Sequence, residues 1–397
     1  MKRLRVSAGK KNKYPEGSKG LIMRPFTFHL HTKIVFGRGS LNRLGGEAAR
    51  LGDRCLLVTG RGFARRSGYL NMLVKILEES SLNVTVFDQV EPNPSLETVY
   101  KGAEEGRRNR CNLVVALGGG SAMDAAKGIA FLLKSRARLE ESFAPNEVSE
   151  ALPIVAVPTT CGTGSEVTRY AVLTNVGRRR KEVLMGTPLT PSVAIGDADL
   201  LNSLSKQLTA YTGFDALSHA LEAFLSKEST RLSDLFALEA ARIILGSIVE
   251  AAEGVAEARE NMLYASMLAG MAINCAGTVA VHGMGYYLTN YHGVHHGLAN
   301  GLLLPHVLRF ELERGLSRLE DAAVKLGFEN GLSLVERIEE AAQKVGIARS
   351  LVELGVKPSE LEAMVADALS YARNLDKHPN PLTPGDVRRI FARALGG

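Results

Sequence analysis

The chain has 397 residues, enough for two domains that each bury a substantial core. A hydrophobic fraction of 45% and a charged fraction of 23% exclude a disordered or collagen-like chain. The net charge of +6 belongs to residues 1–22, which hold seven Lys/Arg against Glu16, so the remainder is near neutral and no basic groove for nucleic acid is expected.

Residues 1–24 read as a basic tail, with Met23 a candidate alternative start. The tail lacks an apolar core of signal-peptide length, so secretion is not expected. Cys55, Cys111, Cys161 and Cys275 are widely separated, with no CxxC pair. That pattern speaks against a zinc ribbon or a disulfide framework and points to a reducing cytoplasm.

From Lys33 to Asp199, short apolar β-rich runs alternate with helical stretches. Strands are predicted at Arg54–Thr59, Asn83–Phe87, Asn112–Leu117 and Pro153–Val157. Helices are predicted between them at Tyr69–Ser80, Leu96–Asn109 and Asp124–Leu133. Strands alternating with helices imply βαβ units and a doubly wound parallel sheet. From Ser203 onward the strand signal fades. Helical periodicity runs through Leu208–Leu225, Leu232–Glu253, Arg259–Cys275, His306–Arg314, Leu334–Val345, Ser359–Asn374 and Pro384–Leu395. The expected organisation is therefore an α/β domain over residues 25–202 followed by an all-α domain over 203–397. Residues 262–288 are largely apolar, but Asn274, Thr278, His282 and several Gly interrupt them, so a buried core helix is expected there and no membrane span.

Two loops stand at predicted strand ends. Gly118, Gly119, Gly120 and Ser121 end the NLVVAL strand and open a helix, where backbone N–H groups and the helix dipole favour an anion. Ser121 and Asp124 are placed to cap that helix or to bond ribose and phosphate. The segment fits neither GxGxxG nor GxxxxGKS. Thr159, Thr160 and Thr163 follow the PIVAV strand, interleaved with Gly, at the end of a sheet where ligand crevices form.

Asp215 and His219, four residues apart in GFDALSHALEAF, share one helical face and can point at one ion. Four of the nine His lie between positions 282 and 296. One carboxylate and three imidazoles suit a divalent metal with an open position for substrate. Spacing alone leaves His282 and His296 level with His292 and His295 as the remaining ligands. No Lys or Arg occurs between His282 and His296, which disfavours a phosphorylated substrate there.

Taken together, GGGSAMDAAK, PTTCGTGSEVT, GFDALSHALE and HGMGYYLTNYHGVHHGLANGLLLPHV resemble the iron-containing (group III) alcohol dehydrogenase family, near its lactaldehyde/1,2-propanediol, 1,3-propanediol and butanol dehydrogenase members. The resemblance runs from about residue 25 to the C-terminus. It implies a Rossmann-like domain followed by a helical metal-binding domain, an architecture like that of dehydroquinate synthase. Intervals of 4, 63 and 14 residues match the family's metal quartet and select Asp215, His219, His282 and His296. Fe(II) is the implied ion, with Zn(II) the alternative. The resemblance puts Gly119, Gly120, Ser121 and Asp124 on the dinucleotide-phosphate loop, and Thr159, Thr160 and Thr163 beside the nicotinamide. It adds Asn93, Val172 and Lys181 to the cofactor contacts.

Two departures from the family pattern stand out. A further family His, four residues after the third ligand, is Tyr286 here, leaving His292, His295 or water for a proton relay. An Asp found after the second strand in NAD-preferring relatives is Gly60 here, followed by Arg61, with Arg65 and Arg66 close behind. Loss of the acid and gain of cations favour NADP(H) over NAD(H). The implied activity is reversible hydride transfer between NADP(H) and a small aliphatic alcohol or aldehyde, in a homodimer that binds neither nucleic acid nor membrane. A dehydroquinate synthase-like or glycerol dehydrogenase-like enzyme using NAD and a divalent metal is the alternative.

Overall fold

A computed structural model describes residues 25–396, so the basic tail of residues 1–24 lies outside the described residues. Among the described residues eight strands are formed: β1 (Lys33–Phe36), β2 (Arg54–Gly60), β3 (Asn83–Val90), β4 (Leu113–Gly118), β5 (Ile154–Pro158), β6 (Tyr170–Asn175), β7 (Arg180–Met185) and β8 (Val193–Gly196). Six of them make one all-parallel sheet in the order β1-β8-β5-β4-β2-β3, and β6 and β7 pair as a separate antiparallel hairpin. Alternate residues of the central strands bury opposite faces. Leu56, Val58, Val114 and Ala116 join one core, while Cys55, Leu57, Val115 and Leu117 join the other. Both faces are covered by α1 (Leu44–Ala49), α2 (Phe63–Arg66), α3 (Tyr69–Glu79), α4 (Leu96–Arg108) and α5 (Gly120–Lys134).

The strand order reverses between β2 and β4, because β3 lies outside β2 and the chain then returns to the sheet centre. The carboxyl ends of β2 and β4 therefore flank a crevice of the kind that takes ligands in open α/β sheets.

The second half is helical: α6 (Lys206–Leu225), α7 (Arg231–Glu253), α8 (Ala256–Ala276), α9 (Ala280–His292), α10 (His296–Glu313), α11 (Ser317–Lys325), α12 (Gly331–Val345), α13 (Leu361–Ser370), α14 (Ala372–Leu375) and α15 (Pro384–Ala394). Their shared core includes Phe214, Phe224, Phe310 and Phe391, all essentially inaccessible to solvent. Phe28 and Phe36, ahead of and within β1, also pack on this bundle, against Phe236 and Tyr264.

The fold class matches the expectation, but several elements differ, among them the helix expected over Ser359–Asn374, which is broken at Tyr371 into α13 and α14. The apolar stretch read as one buried helix is two, α8 and α9, meeting at 109°. Gly277, at φ +71°, makes the break. No single helix among the described residues is long and apolar enough to cross a membrane. The helix expected from His306 begins ten residues earlier, at His296, and carries Pro305 inside it. The expected cap of α5 by Ser121 or Asp124 is not formed: Gly119 is the N-cap residue, with no side-chain bond to the helix. Asp124 is half-buried and bonds across to Ser165 and Val172 instead.

Candidate active site

A cleft of about 530 Å³ runs from the carboxyl ends of β2, β4 and β5 to the helical bundle. The sixteen residues assigned from the sequence to the metal or the dinucleotide all line it: Gly60, Arg61, Asn93, Gly119, Gly120, Ser121, Asp124, Thr159, Thr160, Thr163, Val172, Lys181, Asp215, His219, His282 and His296; Arg65, paired with Asp88, and Arg66 do not.

At the sheet end, β4 passes into α5 through a turn in which Gly118 has φ +150°. A Cβ on Gly119 would lie 2.9 Å from the Thr160 hydroxyl oxygen, so the two loops approach more closely than any side chain at that position permits. Asp124 accepts from the Ser165 hydroxyl at 2.7 Å and from the Val172 N–H at 2.9 Å. It thus ties α5 to β6, and burial raises the pKa of its carboxyl. Ser121 accepts from the Asn93 N–H at 3.2 Å, and the Lys181 ammonium donates to Asn93 Oδ1 at 2.7 Å and to the Thr174 hydroxyl at 2.9 Å. Burial pushes Lys181 down to about 8. These bonds bring Asn93, Ser121 and Lys181 into one patch beside the glycine turn.

Lys127, fully buried one turn after Asp124, was not singled out from the sequence. It donates to Ser165 Oγ, Thr168 Oγ1 and the carbonyls of Thr168 and Tyr170 at 2.7–3.1 Å. Burial pushes it down to about 8, against the pull of Asp124 and Glu166. It holds together the loop after β5 and the start of the hairpin.

At the bundle end, α6 supplies Asp215 and His219, the start of α9 supplies His282, and the first residue of α10 is His296. The donor atoms of Asp215, His282 and His296 lie within 4.8 Å of one another. Asp215 Oδ1 is 3.6 Å from His282 Nε2 and 3.9 Å from His296 Nε2. His219 lies alongside, its ring stacked on His282 with centroids 4.5 Å apart, and its Nδ1 is 3.2 Å from the Gly162 carbonyl. With the proton on Nδ1, that bond leaves Nε2 of His219 free to act as a ligand.

The donor set fits a divalent ion. Bonds of roughly 2.0–2.2 Å hold ligand atoms roughly 3–3.6 Å apart, so a contraction of a few tenths of an ångström would close the site. The Asn300 amide nitrogen lies 2.9 Å from Asp215 Oδ1 and 3.1 Å from Nε2 of both His282 and His296, so all three atoms face one electropositive group. Burial opposes ionisation of Asp215, but the His219, His296 and His282 rings outweigh it and hold the carboxyl well below its usual range. Burial drives His219 down and His296 down to about 3, toward the unprotonated form that ligates, while Asp215 pulls both the other way.

Glu222, three residues beyond His219 on α6, was also missed in the sequence. Its Oε1 accepts from the N–H groups of Val279 and Val281 at 3.0 and 2.8 Å, so it caps α9, while its Oε2 bonds His282 Nδ1. Burial disfavours the charged imidazole, but Glu222 and Asp215 reverse this and push His282 up to about 9. A carboxylate behind a histidine fixes which ring nitrogen faces an ion. Its signal in the sequence was its place seven residues after Asp215, on the same face.

Tyr286 is buried and stacks on His296 at 5.7 Å and 8°. His295 lines the cleft, whereas His292 bonds Glu360 at 2.8 Å and is not among the lining residues. Arg373 and Lys377, far downstream, also line the cleft. Downstream cations therefore do reach the cleft, although none lies between His282 and His296.

An α/β domain with an anion-type glycine turn, facing a helical domain that carries a carboxylate–imidazole cluster, defines a two-domain oxidoreductase of the dinucleotide- and metal-using class. Comparison with known proteins narrows this. The iron-containing alcohol dehydrogenase profile matches residues 31–198, and the C-terminal profile of the Fe-containing alcohol dehydrogenase family matches 209–395. The 1,3-propanediol dehydrogenase of Klebsiella pneumoniae is 37% identical, over 94% of this chain and 99% of its own. An NADPH-dependent butanol dehydrogenase of Clostridium saccharobutylicum is 32% identical over 92% of this chain and 96% of its own, and an NAD-dependent methanol dehydrogenase of Bacillus methanolicus is 32% identical over 93% and 99%. The crystal structure of a 1,3-propanediol oxidoreductase superposes with a TM-score of 0.89 at 35% identity, covering 94% of this chain and all of that one. The chain belongs to the iron-containing alcohol dehydrogenase family.

Proposed function

We propose that this oxidoreductase interconverts a small aliphatic alcohol and its aldehyde using NADP(H), with Asp215, His219, His282 and His296 holding one divalent ion. The convergence of the first, third and fourth of these on the cleft that also holds the glycine turn carries the reading. When bound, the ion (Fe(II) by family, Zn(II) the alternative) supplies Lewis acidity at the substrate oxygen, and the dinucleotide supplies or accepts the hydride. Asp215 contributes one negative charge, so the site stays net positive toward a developing oxyanion. Glu222 and the Gly162 carbonyl orient two of the imidazoles. Gly119, Gly120, Ser121 and the patch of Asn93 and Lys181 bind the dinucleotide phosphates, with Asp124 bracing them. Thr159, Thr160, Thr163 and Val172 shape the nicotinamide end. Treatment with chelator is predicted to abolish turnover, and single-metal restoration by Fe(II) or Zn(II) to identify the working ion. Full activity of the metal-free enzyme would end the Lewis-acid reading.

NADP(H) preference rests on Gly60 and Arg61 at the cleft's far end. Arg61 is exposed, donating to the Gln89 carbonyl at 2.9 Å and lying 3.5 Å from Glu91, so a 2′-phosphate needs only to displace a weak pair. A charge-assisted bond of about 1.5 kcal/mol is roughly tenfold in affinity. Arg61→Ala is therefore predicted to raise KM for NADPH about tenfold and to leave KM for NADH nearly unchanged. Wild-type kcat/KM favouring NADH would reverse the assignment.

The remaining elements of the reading are structural. We place a domain boundary near residue 202, and family profiles that match 31–198 and 209–395 support that placement. Four unpaired cysteines suit a cytoplasmic setting. A homodimer is the expected assembly.

A further inference from the structure

Three carboxylates line the cleft, and each is engaged. Glu91 bonds Ser95 and Thr98, Asp124 bonds Ser165 and Val172, and Asp215 bonds Asn300. The cations differ. Arg61 faces Glu91, Lys377 pairs with Glu228, and Lys181 donates to Asn93 and Thr174. Among the described cleft-lining cations, Arg373 has neither a carboxylate nor a hydrogen-bond acceptor on its guanidinium. It is half-buried, its guanidinium carbon 5.4 Å above the Tyr170 ring.

The chain beside it reaches the reacting end. The next residue, Asn374, donates to the Thr278 hydroxyl at 2.9 Å, and a Cβ on Gly283 would lie 3.2 Å from Asn374 Cβ. Gly283 adjoins His282, so Arg373 stands one residue along the chain from a direct contact with the metal-site helix. Lys377 lies over the α8–α9 break, where a Cβ on Gly277 would meet its ammonium at 3.0 Å. A guanidinium partly removed from water and stacked on an aromatic face presents its fork edge for a planar, bidentate anion.

We propose that the natural aldehyde substrate is an ω-oxo carboxylate, and that Arg373 binds its carboxylate while the aldehyde end faces the His282 cluster. Lys377 adds positive field beside it. In the reduction the carbonyl carbon gains the hydride, the oxygen gains a proton, and the carboxylate is unchanged. This assignment rests on the dehydrogenase reading above and sharpens its substrate class.

The test compares 4-oxobutanoate with its uncharged isostere 4-methylpentanal on the metal-loaded enzyme. Wild-type kcat/KM is expected to favour 4-oxobutanoate at least tenfold, mainly through KM. Arg373→Gln is expected to shrink that ratio at least tenfold, and Arg373→Lys to recover part of it. A readout without turnover is calorimetric binding of butanoate against butanamide to the holoenzyme with NADP⁺. Wild type should bind butanoate the more tightly, and Arg373→Gln should lose the difference. Equal turnover of both aldehydes, a ratio insensitive to Arg373→Gln, or equal binding of butanoate and butanamide would overturn the role of Arg373 and leave the dehydrogenase intact. Should the variant fail to fold, the wild-type ratio and calorimetry decide alone. Reduction of neither aldehyde with NADPH or NADH would overturn both readings.

Discussion

Replacing Asp215 with alanine is expected to lower kcat for aldehyde reduction by at least about a thousandfold and to remove tight binding of a divalent ion. Polarisation of the carbonyl by a metal is worth several kcal/mol, and about 1.4 kcal/mol is tenfold in rate. Asp215 is the only negatively charged member of the ligand quartet. It is 3% exposed, so water cannot take its place without cost. Its loss also strips the Asn300 amide of its 2.9 Å acceptor. Asp215→Asn keeps the shape but not the charge, and so separates loss of ligand from loss of fold. Metal per chain and steady-state kcat on both variants check the prediction. A variant that keeps one ion per chain and near-normal turnover would exclude Asp215 from the site.

The second large effect is expected at Glu222. Its Oε2 holds His282 Nδ1, and its Oε1 caps the first turn of α9. Glu222→Gln retains one acceptor oxygen. Whichever group it then turns toward His282 Nδ1, either the cap or the tautomer is lost. An amide NH2 against Nδ1 forces the ring proton onto Nε2, where no lone pair is left for an ion. Loss of such a supporting partner costs about 10–100-fold in metal affinity. Competition against a chromophoric chelator measures it, with thermal melting to confirm that α9 remains packed. Unchanged affinity would make Glu222 a helix cap and nothing more.

What the sequence made legible follows from how each element is stabilised. β2, β4 and β5 are buried on both faces and read as continuous apolar runs such as RCLLVT and NLVVAL. α6 and α7 show themselves through helical periodicity. The first half of α10 does not, because Gly297, Gly301 and Pro305 mimic a loop, and α9, with Gly283 and Gly285, is legible only as the end of an apolar stretch. In the fold those glycines allow close helix crossing: a Cβ on Gly301 would lie 2.9 Å from Phe214 Cβ, and one on Gly297 would strike the α6 backbone at Tyr211. The metal quartet was recognisable only through family spacing, since residue type alone did not separate His296 from His295. Side chains recruited by tertiary packing stayed hidden. Glu222 looked like one more polar helix residue, and Arg373 joins the cleft from a segment whose sequence carries no sign of it. Asp124 does not cap α5, because its carboxylate is drawn across to the Val172 N–H of β6, a tertiary contact that its place near a helix start does not show.

One measurement bears most directly on the central claim: anomalous diffraction at the iron edge from crystals grown with Fe(II). A single peak is predicted, about 2.0–2.3 Å from an Asp215 oxygen and from one ring nitrogen each of His219, His282 and His296. A peak elsewhere, or one that His219 does not approach, would contradict it.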